Sequence, residues 1–295
     1  QKKDRTDAFM YNKNGQYDKA MVSIEKCINH EQFLGQKPDW QAEAWLYRAV
    51  IYQNVIQSGD EKLMAQSPDA REKVFESLMK CMENKDFFEE NKQDIYQRVG
   101  AVMTSYYNDG SAAFEKQDYA TAAVSLKKAY DIAKSLGSPE ASEMMKYAAY
   151  ACIKDKNFDQ AIEYYTELQN DGYNGEDLYY NLASAYINKG DKDKAAEVIA
   201  AGLAKYPNSD MLIRENVNLK LSEGKGTEAV ADLEKLLEAR PDDYTLMFAL
   251  GTIYGDDTKD IYDGDKAVNY YIQAINPKPD CYDAIYILGA LYINN

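Results

Sequence analysis

The chain has 295 residues, 45% of them hydrophobic, with 49 acidic against 34 basic residues and a formal net charge of -15. That balance argues against a nucleic-acid binder, which needs a basic face to neutralise phosphates. It predicts a well-solvated surface, or an acidic groove that selects a basic partner. No uninterrupted apolar run of about 18 residues occurs, so no segment reads as a membrane-spanning helix.

In chain order the sequence reads as helix pairs. The first has Ala8 and Tyr11 in one helix, Gly15 in the turn, and Tyr17, Ala20, Ile24 and Cys27 in the other. The second begins with Trp45, Ala49 and Tyr52, but its second helix, near Val74, Leu78 and Cys81, arrives late, and residues 56–70 are the insertion. Residues 83–93 read as a charged joint where the array bends or divides. Ile95, Val99 and Val102 then have helical spacing, which predicts a long or an added first helix before Gly110, Tyr119, Ala122, Leu126 and Ala129. Residues 142–175 follow with Ala149, Phe158, Ala161, Tyr165 and Leu168. Residues 176–209 carry Tyr179, Leu182, Ala183, Tyr186, Ala195, Ile199, Gly202 and Pro207. Residues 210–243 carry Val217, Ala229, Leu233, Leu236 and Pro241. The unit from Tyr244 has Leu250, Gly251, Tyr254, Ala267, Tyr271, Ala274 and Pro279. Ile285, Leu288, Gly289 and Tyr292 form one more first helix with no second helix to cover it. The expectation is therefore that the protein continues beyond Asn295, or that a partner or second copy caps this end.

Ala195 and Ala229 are 34 residues apart, as are Pro207 and Pro241. A fixed period of that length predicts a stacked helix-pair solenoid, and it moves the search for function from a catalytic pocket to a binding surface. A small residue stands where paired helices approach most closely, large residues fill the gap beside it, and proline stops the second helix. Tyr11, Tyr52, Tyr186, Tyr254 and Tyr292 share one core position; Tyr17, Tyr106, Tyr119, Tyr165, Tyr179 and Tyr271 fill others, so many of the 26 tyrosines serve packing.

These residues resemble the tetratricopeptide repeat family over nearly the whole chain. The resemblance implies an all-α, right-handed α-α superhelix of about seven and a half helix-turn-helix repeats. Residues 1–88 would form an N-terminal block with an insertion and 89–295 a regular array whose last repeat is incomplete. Lys220 departs from the family, where an aromatic is usual. The residue after the first bulky one in each first helix should face the concave groove, giving Tyr107, Lys146, Tyr180, Arg214, Phe248 and Tyr286. The next position adds Asn108, Tyr147 and Asn181, and one turn on stand Tyr150 and Asn218. In the family, asparagines at the place of Asn108 and Asn181 hold the backbone of an extended peptide, whose own N–H and C=O groups lose water on docking. The family's clamp for acidic C-terminal peptides is not matched, because Ala249 stands where a second asparagine is needed.

The expected function is a non-enzymatic scaffold or adaptor that binds a protein or peptide in this groove, without cofactor or metal. The alternative is a carbohydrate-binding or envelope-assembly component that stacks sugars on groove tyrosines. Four dispersed cysteines, no CxxC and a single histidine, His30, argue against zinc and a histidine-dependent triad. Cys27, Cys81, Cys152 and Cys281 are expected to be free thiols. No phosphate loop, nucleophile elbow or metal motif appears. Five aspartates lie in residues 255–266; a solvated turn insertion is the favoured reading, with calcium binding left open. The chain opens on Gln1 rather than methionine, as removal of a secretory signal peptide would leave it, so the expected location is the periplasm or outer membrane; a trimmed cytoplasmic protein is the other reading.

Overall fold

The computed structural model describes residues 2–258, 260–280 and 282–294, the last four of these in backbone only. The described residues fold as sixteen α-helices without a strand. They separate into two compact units, Gln1–Asp155 and Lys156–Asn295.

The first unit contains α1 (Lys2–Lys13), α2 (Tyr17–Ile28), α3 (Pro38–Ser58), α4 (Glu61–Gln66), α5 (Ala70–Glu83), α6 (Lys85–Glu115), α7 (Tyr119–Ser135) and α8 (Ala141–Lys154). The second contains α9 (Phe158–Asn170), α10 (Glu176–Lys189), α11 (Lys192–Lys205), α12 (Asp210–Ser222), α13 (Gly226–Ala239), α14 (Tyr244–Tyr254), α15 (Gly264–Ile275) and α16 (Tyr282–Asn294). In sequence order these are alternating first and second helices, with α4 as an extra element and α16 as a closing first helix. Their number matches the expected seven and a half pairs.

Several of the junctions between paired helices share the same local chemistry. Asp118, Asn157, Asp191 and Asp263 stand at the N-caps of α7, α9, α11 and α15, where each side chain accepts a hydrogen bond from an amide three residues on. The turns before α2, α7, α9, α11 and α13 each contain one residue in the left-handed region. Gly15, Gly190 and Gly224 supply it with φ of 72°, 93° and 74°. Gln117 and Lys156 adopt it at 62° and 60° without being glycine, at a cost of about 1 kcal/mol each. Ala20, Ala122, Ala161, Ala195, Ala229 and Ala267 are each the fourth residue of their helix and are all 0% exposed. Close approach there is enforced: a Cβ on Gly110 would meet the Leu126 side chain at 2.6 Å, and one on Gly202 would meet Leu212 at 2.7 Å.

The irregular region resolves into helix. The insertion at 56–70 extends α3, stops at Gly59 (φ 64°) and forms α4, capped by the Asp60 carboxylate and burying no residue. In the charged stretch 83–93, α5 ends at Glu83 and α6 begins at Lys85, so the junction is confined to Asn84 and the remainder is helix. Asn84 accepts from the Phe87 amide and starts α6, which runs unbroken for 31 residues. This is the long first helix that the spacing of Ile95, Val99 and Val102 predicts; all three are buried.

Most of the expected core tyrosines are inside. Tyr52, Tyr106, Tyr165, Tyr179, Tyr254 and Tyr271 are buried, Tyr11, Tyr17, Tyr119 and Tyr186 half-buried, and the Tyr292 side chain lies outside the described residues. Two buried groups have no sequence signal. Tyr130 is 2% exposed. Arg48, 5% exposed, donates from Nε to Glu25 Oε1 at 2.7 Å and from a terminal nitrogen to Glu76 Oε2 at 2.7 Å and Ser77 Oγ at 3.0 Å. Tyr52 OH donates to the same Glu25 oxygen at 2.8 Å. No described helix is long and apolar enough to cross a membrane.

Candidate functional site

In the first unit the inward-facing positions of α6 and α8 collect aromatic rings. Tyr107, Tyr147 and Tyr150 are 36%, 51% and 38% exposed. Tyr107 and Tyr147 line two clefts. One, of about 410 Å³, is closed by Met103, Met144 and Glu143; the other, of about 250 Å³, by Phe114, Leu126 and Tyr150. Tyr150 is stacked on Phe114 with centroids 5.9 Å apart, and Lys154 Nζ lies 5.1 Å from its centroid. Met103, Phe114 and Met144 are walls that the sequence reading missed. Their spacing of three or four residues from Tyr107, Ser111 and Tyr147 is the signal that would find them. Asn108 is exposed but lines neither cleft. Lys146 is half-buried and its ammonium is 2.5 Å from the Glu143 carboxylate.

In the second unit, Arg214, Asn218 and Phe248 come together. They line a cleft of about 370 Å³ between α12 and α14, over a floor that includes Val217, Leu221, Leu246 and Ile253. Two carboxylates, Asp210 and Asp243, share the cleft, but Arg240 already holds them at 2.8 and 3.2 Å. Arg214 and Asn218 are exposed, one turn apart, and form no ion pair or side-chain hydrogen bond among the described residues. An apolar floor with an uncompensated cation and a free carboxamide can hold an acidic or amide-bearing group beside an apolar one.

Tyr180 and Asn181 lie half-buried on α10. Asn181 Nδ2 donates to the Asp177 carbonyl at 2.8 Å, so its donor is used within its own helix. Tyr286 on α16 is 79% exposed, beside Tyr282 and Ile285, which are exposed too.

Other chemistry has little geometric support. Cys27, Cys81 and Cys152 are free thiols and buried; Cys281 lies outside the described residues. Burial pushes the Cys27 thiol up to about 11 and the Cys81 thiol up to about 12, opposite to the shift that activates a nucleophile. Among the described residues no three His, Cys, Asp or Glu side chains converge as a metal site. In the acidic loop, Asp256 accepts from the Thr258 amide and hydroxyl at 3.0 and 2.6 Å, and Asp263 caps α15.

Comparison with known proteins finds the following similarities. Residues 107–177 and 153–212 match two tetratricopeptide repeat models. Among curated proteins, the chain is 32% identical over 123 residues to Protein CTR9 homolog of Arabidopsis thaliana, a match covering 40% of this chain and 11% of that protein. It thus spans about a tenth of that relative's length. Among solved structures, MamA is 20% identical with a TM-score of 0.47, covering 62% of this chain and 96% of that one. YrrB, described as a TPR protein with an unusual peptide-binding site, is 18% identical with a TM-score of 0.42, covering 68% and 94%. TTC0263 of Thermus thermophilus, described as a thermophilic TPR protein, is 19% identical with a TM-score of 0.42, covering 65% and 99%.

Proposed function

This chain is a tetratricopeptide-repeat protein, and from that premise we propose that it is a non-enzymatic scaffold whose first helices bind a protein partner. The observation that carries the reading is the cleft between α12 and α14. There Arg214 and Asn218, with no ion pair or side-chain hydrogen bond among the described residues, stand over an apolar floor. Phe248 and the floor supply buried apolar area, the Arg214 guanidinium pairs with a carboxylate, and the Asn218 amide bonds partner backbone. Tyr180, Asn181 and Tyr286 extend the same face in the second unit; Tyr107, Asn108, Lys146, Tyr147 and Tyr150 are its counterpart in the first. The division expected at 88/89 falls inside the unbroken α6; as a proposal about repeat regularity we place it at the start of that helix, with the inserted α4 before it.

A second reading has an observation of its own. The exposed side chains of Tyr107 and Tyr147, beside the Tyr150–Phe114 stack, could pack against sugar rings, which makes a glycan the alternative ligand for the first unit. A glycan array against a pull-down separates the two ligand classes.

The test is the triple variant Tyr180→Ala, Asn181→Ala and Arg214→Ala, measured against a partner identified by pull-down. Binding should fall at least about tenfold, or about 1.4 kcal/mol, while the melting temperature stays close to that of the unaltered chain. Normal binding by the triple variant sinks the reading. So does a partner whose binding survives the triple variant but is abolished by Glu197→Lys on the outer helix α11.

A further inference from the structure

The first unit has a cleft larger than the two that its groove tyrosines line, and the repeat pattern does not point to it. It lies between the starts of α3 and α6 and measures about 520 Å³. Trp40, Glu43, Leu46 and Tyr47 line it from α3, and Asp86, Phe87, Glu90 and Asn91 from α6, with Lys37 and Asp39 at the edge. Spacings of three, four and seven residues put each set on one face of its helix. The walls are therefore aromatic and the charge is acidic: four carboxylates against one lysine.

The chain already shows what these groups hold. Arg5, from α1, is outside the cleft lining. Its guanidinium carbon lies 4.6 Å from the Trp40 centroid and 5.8 Å from that of Tyr47, and it forms an ion pair with Glu43. Tyr47 OH donates to the other Glu43 oxygen at 3.0 Å. A guanidinium on two rings, closed by a carboxylate, is the arrangement that favours arginine over the more strongly hydrated lysine. Inside the cleft the same materials are present, with Lys37 at the edge as the one lining cation. Asp39 accepts from Asn84 at 2.9 Å. Asp86 and Glu90, one turn apart and exposed, have no ion pair or side-chain hydrogen bond among the described residues.

We propose that this cleft is a second binding site, which takes an arginine side chain presented by a partner protein. The guanidinium lies against the Trp40 and Phe87 side of the cleft and pairs with Asp86 and Glu90. The volume exceeds what one side chain fills, so flanking residues of the partner segment enter with it. This site is separate from the cleft between α12 and α14 and has the opposite charge preference, so either can fail without the other.

The probe is a capped pentapeptide with one arginine between glycines, titrated into the full chain. Binding is read from tryptophan emission, to which only Trp40 and Trp45 contribute. A saturable change is expected. The same peptide with neutral citrulline should bind at least about tenfold more weakly, and the lysine peptide should fall between them. Asp86→Asn with Glu90→Gln should weaken the arginine peptide at least about fivefold. Glu238→Gln with Asp242→Asn removes the same charge from exposed positions in the second unit and should leave binding unchanged. Citrulline binding as well as arginine overturns the proposal and needs no variant. It is also overturned by equal losses in the two double variants, which would mean diffuse attraction to an acidic chain, or by no saturable change up to millimolar peptide.

Discussion

The pair α3/α5 in the first unit and the pair α10/α11 in the second meet the same packing demand with different chemistry. In α10/α11 the close approach is made by small side chains: Ala183 and Ala195 are 0% exposed, and Ile199 and Leu219 complete an apolar cluster. In α3/α5, Val74 takes the place that alanine holds in the other second helices, as the matched spacing of Leu78 and Cys81 shows, and it too is 0% exposed. Beside Ala49, Arg48 is buried and reaches Glu25, Glu76, Ser77 and the Lys73 carbonyl. The stacking geometry thus constrains how the space is filled less than whether it is filled. A close pair can hold a charge if its donors find acceptors.

The sharpest way to break this comparison is Arg48→Leu. The substitution leaves Glu25 and Glu76 unpaired, but their side chains are 28% and 56% exposed and regain water. The loss should therefore be about 3 kcal/mol, at the low end of the cost of breaking a buried ion pair. Urea unfolding followed by helix content measures it. A loss below about 0.5 kcal/mol, the size expected at an ordinary surface site, would mean that the network contributes little and the pair is held by its apolar residues.

The opposite case is Ala195→Leu. The alanine is fully buried at the start of α11, and larger side chains force their neighbours off their rotamers at a cost of about 1–3 kcal/mol. An unchanged melting temperature would show that this position accommodates a larger side chain as the Val74 position does, which removes the contrast between the two pairs.

The small-residue pairs were legible because their signals recur: alanine at a fixed place in the second helix, glycine in the turn, proline after it. The cleft residues Arg214, Asn218 and Phe248, and the rings of Tyr107, Tyr147 and Tyr150, were legible for the same reason. Position within a repeat fixes which way a side chain points. It does not fix what the side chain finds there. Asn181 spends its donor on the Asp177 carbonyl, and Lys146 meets Glu143; only the latter is visible as a spacing of three on one helix. Arg48 was not legible, since its carboxylates lie 23 and 28 residues away on other helices. The cleft beside Arg5 was hidden likewise, since α3 and α6 each contribute part of its lining and Arg5 reaches its edge from α1. Continuous helix at 85–93 was obscured by charge, although Asn84 capping the Phe87 amide is a start signal of a familiar kind.

The smallest effect concerns a charge that the second unit leaves alone. Glu215 on α12 is half-buried and has no ion pair or hydrogen bond among the described residues, in contrast to Arg48. Burial holds its carboxyl above the ordinary range. The folded state then binds the proton more tightly than the unfolded state, whose glutamates titrate near about 4.3. Below that value the group is protonated in both states and costs nothing. As pH rises through the elevated folded value, ionisation in a half-buried site destabilises the fold, and the penalty is complete once both states are ionised. Glu215→Gln should therefore raise the melting temperature slightly at pH 7, and the gain should vanish near pH 4. Glu238→Gln makes the same change of net charge at an exposed position and separates desolvation from general repulsion in an acidic chain. Equal gains for the two variants would assign the effect to repulsion. A loss of stability for Glu215→Gln at pH 7 would show that the carboxylate has a stabilising partner in solution, and the contrast with the Arg48 network would then be one of degree.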